Sequence, residues 1–353
     1  MKLKINWGIV GCGWVARDYV APAILGAPLA ELVALLDPNP GAAKRIQGFA
    51  PGAKSFTDVN DFLATPELDA VYIATPNHLH LPLCVAAARA GKHVLCEKPM
   101  ATTLADARQM VEVCAQHGVV YATAFDQRFH AAHQMLRAKI AAGELGEVTA
   151  VRIHYACWTP TDWRPESDDG AHENWRVDPQ KAGGGAFIDL APHGLDLAQM
   201  LLGEELVEIA CLLQRRIFDY PVDDGAVLIG RFASGALLTH NVAYNCPDAF
   251  PRRTLEVVGT KAMARLFNTL GQTPGGTFEL VSAQTGESQR LELDARLDVS
   301  PFQNGVEAFS RCLVEGKPFP FSPARDLHTM AILEAAVQGV GGIHIEPNER
   351  IAL

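Results

Sequence analysis

At 353 residues the chain exceeds the size at which a single core keeps growing, so length alone favours two domains. With 48% hydrophobic and 20% charged residues it has enough apolar side chain for a large core, which excludes a mainly disordered chain. A formal charge of -10, from 40 acidic against 30 basic residues, gives the chain as a whole no electrostatic attraction to nucleic acid or anionic membrane.

A membrane-spanning helix needs about 18 consecutive apolar residues. The apolar run from Ala21 to Leu36 is interrupted by Glu31 and two prolines. After Met1 the chain passes almost directly into a strand pattern, so no secretory leader is expected. The eight cysteines are scattered without a C-x-x-C pair, which suggests reduced thiols and a cytoplasmic setting.

In chain order, short apolar runs predict strands at Lys4 to Val10, Glu31 to Leu36, Ala53 to Phe56, Ala70 to Ala74, His93 to Cys96 and Val119 to Ala124, with helical stretches between them. That rhythm predicts a doubly wound parallel sheet of Rossmann type over residues 1–125. After Gln127 come a predicted helix from Ala131 to Ala142 and a strand from Val148 to Ala156. Strand-like runs then follow one another at Ala226 to Phe232, Gly235 to Val242 and Arg253 to Val258, and two helices near Gln303 to Val314 and Ala324 to Val340 close the chain. Residues 126–353 are therefore expected to form an α+β domain with an open, mostly antiparallel sheet, so the chain as a whole is of the α/β class.

Gly11-Cys12-Gly13-Trp14-Val15-Ala16 reads G-x-G-x-x-A where the first strand meets a helix. Gly11 permits a tight turn, Gly13 permits close approach of a pyrophosphate, and the helix that opens at Trp14 and Val15 offers free N–H groups to the phosphates. Asp37 stands 21 residues beyond Ala16, where a carboxylate can accept from both ribose hydroxyls. The competing reading is a turn-forming aspartate before Pro38. A carboxylate there repels a 2'-phosphate and no arginine follows closely, so NAD is favoured over NADP.

Ligands of an open parallel sheet lie beyond the carboxyl ends of its strands. Thr75-Pro76-Asn77-His78 follows the fourth strand and Glu97-Lys98-Pro99 the fifth, which places both near a nicotinamide. Lys98 at that edge can hydrogen-bond a substrate hydroxyl, or it is a solvated strand-end cation. His78 and His80 alternate closely, but no third ligand stands at a convincing spacing, so no metal is expected.

The run from Gly183 to His193 opens a helix after a glycine turn and sets Asp189 and His193 four apart, on one face. A histidine suits the proton removal that accompanies hydride loss from an alcohol, with the carboxylate orienting it; taken alone, D-x-x-x-H is more often a helix-surface pair. Trp158, Trp163 and Trp175 gather with Asp162, Arg164, His172 and Arg176 in a long irregular segment. Aromatic faces interspersed with polar groups suit a polyhydroxylated ring, with Trp163 and Arg176 as substrate contacts, or else they pack the loop on its own domain or a neighbouring subunit. Asp196 either contacts substrate or is a solvated carboxylate. Asp126, Gln127 and Arg128 either reach the pocket mouth or fasten the domains.

Together GIVGCGWVA, TPNHLHLPLCVAAARAGKHVLCEKPMA and WRVDPQKAGGGAFIDLAPHGLD resemble the glucose-fructose oxidoreductase, inositol dehydrogenase and rhizopine-catabolism (Gfo/Idh/MocA) family. The resemblance implies Lys98, Asp189 and His193 as the catalytic group, a nicotinamide end lined by Asn77, His78 and Glu97, and a cis Lys98–Pro99 peptide. It also implies a homodimer or homotetramer built on the second domain's open sheet. The expected activity is NAD-dependent oxidation of a secondary alcohol on a sugar, inositol or related polyol, or the reverse reduction. Two other readings stand beside it: an NAD-recycling glycosidase, which resembles the same fold, and a non-catalytic dinucleotide-sensing regulator, which would be expected to lack the lysine and histidine.

Overall fold

The computed structural model describes residues 3–165, 174–293, 299–338 and 343–344; His172 lies outside them. Six strands form the first sheet: β1 (Ile5–Val10), β2 (Ala30–Leu36), β3 (Lys54–Phe56), β4 (Ala70–Ile73), β5 (His93–Cys96) and β6 (Tyr121–Thr123). Their order is β3-β2-β1-β4-β5-β6 and every pairing is parallel. The connecting helices are α1 (Ala21–Gly26), α2 (Pro40–Gln47), α3 (Val59–Leu63), α4 (His80–Arg89) and α5 (Leu104–Gln116). Burial on both faces explains why β1 and β4 read as continuous apolar runs without alternation. The strand order reverses between β1 and β4, which opens a crevice beyond their carboxyl ends.

The second sheet has nine strands in the order β14-β13-β12-β11-β7-β10-β9-β8-β15. They are β7 (Val148–Ala156), β8 (Leu206–Gln214), β9 (Gly225–Phe232), β10 (Leu237–Ala243), β11 (Arg253–Gly259), β12 (Ala262–Phe267), β13 (Thr277–Ser282), β14 (Ser288–Leu291) and β15 (Ile343–His344). All pairs are antiparallel except β7 with β10. The remaining helices are α6 (Ala131–Ala141), α7 (Pro179–Ala182), α8 (Ala186–Leu202), α9 (Pro301–Glu315) and α10 (Pro323–Gln338). α8 is apolar almost all round because it lies between the sheet, α6 and α10.

Near its end the chain returns to the first sheet. Phe302, Val306 and Phe309 of α9 join the core around β1, and the Trp7 indole donates to Ser310 Oγ at 3.0 Å. Glu307 accepts from the Leu29 backbone at 3.1 Å. The sheet interfaces are therefore not stitched by sequence order alone.

Between the domains lies a fully buried ion cluster. Arg128, from the 3-10 turn Asp126–Phe129, donates to both oxygens of Asp196 on α8, at 2.8 and 2.6 Å, and to Asp326 on α10. Its guanidinium stacks on Phe125 and Phe321, with 4.7 and 4.5 Å from its carbon to the ring centroids. Asp196 is thus neither a substrate ligand nor a solvated carboxylate, because all of its surface is taken by this cluster and by Arg325. Removing one partner leaves buried charge unpaired. Arg128→Met should cost about 3–5 kcal/mol of stability in urea unfolding; a loss under about 1 kcal/mol would show that hydrophobic replacement compensates the cluster.

Candidate active site

Gly11 has φ +88°, and a Cβ there would lie 2.8 Å from the Ala74 carbonyl, so the turn after β1 admits only glycine. A Cβ on Gly13 would meet nothing within 4 Å, which leaves the loop backbone open to a phosphate. The helix that follows passes through a π turn, Ala16–Val20, into α1. Asp37 ends β2 with one oxygen accepting from Cys12 N and the other from Asn39 N, both at 2.8 Å. It therefore serves the turn and braces the glycine loop at once, and a carboxylate with about four acceptor positions keeps capacity for ribose hydroxyls. An open glycine loop, unsatisfied amides at a helix start and a fixed carboxylate fit a dinucleotide.

A cleft of about 820 Å³ lies between the domains. Trp14, Val15, Thr75, Asn77, Glu97 and Lys98 line its first-domain side; Trp163, Arg176, Asp189 and His193 line the other. His78 lies outside the wall, exposed, with Nδ1 3.3 Å from the Lys181 carbonyl. Asn77 is buried and donates to the Ala182 carbonyl at 2.8 Å. Pro76 precedes the short 3-10 turn that carries both. His80 is also buried, with Nε2 3.0 Å from the Thr75 carbonyl and Nδ1 3.0 Å from that of Pro99. It holds the two strand-end segments together. The Lys98–Pro99 peptide is cis, as the resemblance implied.

Lys98 Nζ donates to Asp189 Oδ1 at 2.6 Å and to the Asp189 carbonyl at 3.0 Å. Tyr244 donates to the other carboxylate oxygen at 2.7 Å, and Arg176 Nε lies 3.6 Å from it. Burial alone would push the Asp189 carboxyl up, but Lys98 and Arg176 hold it well below the usual carboxylate range. Its place in the first turn of α8 adds the positive end of the helix. That turn is set by close approach. A Cβ on Gly185 would overlap the Asp223 carbonyl, while the Asp223 carboxylate caps the helix by accepting from Gly185 N at 2.9 Å and Phe187 N at 2.7 Å.

The expectation that Asp189 orients His193 is corrected. His193 Nδ1 lies 3.2 Å from Asp126 Oδ1, in a geometry too bent to count as a hydrogen bond, and its ring meets Tyr155 edge-on at 5.3 Å. Asp189 is drawn instead to Lys98 across the domain boundary, while His193, one turn deeper, faces the junction turn. Asp126 thus reaches the cleft, whereas Arg128 ties the junction turn to α8 and α10 within the second domain. Tyr244, Tyr155 and Arg253 also line the cleft, and no local sequence pattern marked them.

Trp14 forms a cross-domain contact with Trp163, with ring centroids 5.9 Å apart. Arg176 lies over the rings of Trp14 and Trp163 at 5.7 Å each, and of Trp175 at 4.6 Å.

Glu97 accepts from the Tyr72 hydroxyl at 2.7 Å. Burial raises its carboxyl from 4.5 to about 7, against the pull of Lys98 and Tyr72. A raised carboxyl binds its proton more tightly when folded, so its contribution to stability is present below 4.5 and is lost as pH rises through about 7. Glu97→Gln should flatten that part of the pH–stability curve, by at most about 2 kcal/mol given that Glu97 touches the cleft. Urea unfolding across that range measures it, and parallel curves for the two proteins would refute the shift.

A nucleotide-type loop and a lysine on one wall of a cleft, with a histidine on the other, define a two-domain oxidoreductase of the nicotinamide-dependent kind. Residues 5–125 match the family model described as "Oxidoreductase family, NAD-binding Rossmann fold" and residues 133–265 match the GFO/IDH/MocA C-terminal domain. The chain belongs to the Gfo/Idh/MocA family of NAD(P)-dependent oxidoreductases. It is similar to a 1,5-anhydro-D-fructose reductase of Ensifer adhaerens, 34% identical over 95% of this chain and 97% of that one. It is also similar to a D-xylose 1-dehydrogenase [NADP(+)] of Haloarcula marismortui, 30% identical over 88% of this chain and 84% of the other. Among solved structures, the aldose-aldose oxidoreductase of Caulobacter crescentus complexed with glycerol superposes with a TM-score of 0.84 at 25% identity, covering 97% of this chain and 100% of that one.

Proposed function

We propose that the protein transfers hydride between NAD and a secondary alcohol or ketone of a sugar, inositol or related polyol. The observation that carries this is the opening of Lys98 and His193, from different domains, into one cleft. The named activities of the similar proteins, a sugar reductase and a xylose dehydrogenase among them, support the substrate class.

Gly11, Gly13, Trp14, Val15 and Asp37 would hold the dinucleotide, with Thr75, Asn77 and Glu97 at its nicotinamide end. When bound, the nicotinamide accepts or donates the hydride. An ammonium has three donors, and two of those on Lys98 go to Asp189, so the third is free for a substrate oxygen. Asp189 holds Lys98 in place. His193 Nε2 has no partner among the described residues, which leaves it available to take the hydroxyl proton while Asp126 sits at Nδ1. Trp163 and Arg176 offer stacking and donors to a polyhydroxylated ring. NAD is preferred over NADP because the Asp37 carboxylate repels a 2'-phosphate.

Self-association is proposed through the open face of the second sheet, where Leu212, Ile229 and Leu237 are 72%, 58% and 55% exposed. Sedimentation should give a dimer or tetramer for the native chain and smaller species for Ile229→Asp; a native monomer refutes the proposal.

The reading is tested by incubating sugars, inositols and related polyols with NAD and with NADP and following reduced cofactor. At least one polyol should reduce NAD, faster than NADP. Lys98→Met should lower turnover by about 10²- to 10⁴-fold, with NADH affinity by fluorescence titration nearly intact. Unchanged turnover would remove the lysine from the chemistry.

A further inference from the structure

The charges around the cleft are almost all neutralised where they stand. Lys98 pairs with Asp189 and Arg252 with Asp248. Arg176 shares Asp189 and lies among three indoles. Arg253 is different. It opens β11 directly opposite Tyr155 of β7, and its guanidinium carbon lies 5.9 Å from the Tyr155 ring centroid. Among the described residues its side chain donates to no acceptor and has no carboxylate within ion-pair distance, and its Nε is buried. Arg253 lines the cleft, and a guanidinium that lacks a counter-charge among the described residues has donors to offer an anion brought by a ligand.

The position says which ligand. Tyr155 lies between Arg253 and His193, meeting the His193 ring edge-on at 5.3 Å. An anion on Arg253 would therefore be carried by the same small molecule whose hydroxyl reaches His193. Arg176, among the tryptophans, likewise has a buried Nη1 with no hydrogen-bond partner among the described residues. Its charge, unlike that of Arg253, already has Asp189.

We propose that Arg253 is a specificity-determining residue and that the preferred substrate is an anionic polyol, a sugar or cyclitol bearing a carboxylate or phosphate that this guanidinium binds. This rests on the dehydrogenase reading for the reaction but not for the binding. A guanidinium presents paired N–H donors that match either anion.

The test uses native protein, Arg253→Gln and Arg253→Lys, with NAD present. Each receives matched sets: hexoses, the corresponding hexuronates and hexose 6-phosphates, and inositol with its monophosphate. Calorimetry reads binding, and reduced cofactor reads turnover. In the native protein, one anionic set should bind about 10- to 100-fold more tightly than its neutral parents, as expected for charge-assisted hydrogen bonds. The better of the carboxylate and phosphate sets identifies the anion. In Arg253→Gln the ratio of anionic to neutral affinity should fall toward one. Arg253→Lys should recover part of it, with unfolding midpoints confirming that both variants fold.

Equal affinity for neutral and anionic members in the native protein would overturn the proposal. So would a ratio that Arg253→Gln leaves unchanged. Selective anion binding without any reduced cofactor would support the subsite and sink the dehydrogenase reading; turnover of polyols without anion preference would do the reverse.

Discussion

The ion pair between Lys98 and Asp189 is the contact on which the site depends, because it is where the end of the parallel sheet meets the start of α8. The two side chains are only 12% and 19% exposed, so each would be costly to keep charged without the other. Asp189 is further stabilised as an anion by Tyr244, Arg176 and the helix end. That surplus gives the lysine a fixed counter-charge inside the cleft. The same contact fixes where the remaining Lys98 donor points, so the chemistry and the docking of the domains share one interaction.

The pair could not hold α8 alone. Seven residues further along, Asp196 accepts Arg128, and between them His193 meets Asp126. Asp126 and Arg128 come from one short turn, and His193 and Asp196 are one helical turn apart, so the two contacts set the helix against the junction in both position and rotation. A single contact would leave α8 free to swivel. The imidazole is in this way placed by a fully buried cluster with no direct part in the chemistry.

What the sequence made legible was whatever the chain writes locally. The glycine loop with Asp37, the Glu97-Lys98-Pro99 edge and the glycine-led helix each declare themselves within a few residues, because turn chemistry, strand ends and helix starts are short-range matters. The partner of His193 was misread for the same reason. Spacing of four puts Asp189 on the same face, but pairing is decided by what the face meets, and it meets Lys98 near the start and Asp126 one turn on. Tyr155 and Arg253 reach the cleft from strands, and Tyr244 from the residue after one, and strand alternation reveals burial but not the neighbour across the sheet. The return of α9 to Trp7 was hidden likewise, since an amphipathic helix announces an apolar face and not the surface it covers.

Glu97 adds a constraint of charge. It adjoins Lys98 in the chain and accepts from Tyr72, yet burial leaves it with a proton affinity near neutrality, about 7. Were it fully ionised, it would compete with Asp189 for the ammonium. A carboxyl near its midpoint costs little to ionise when a cation arrives and little to protonate when the cation is reduced. In the proposed reaction the nicotinamide changes by one unit of charge at this end of the cleft.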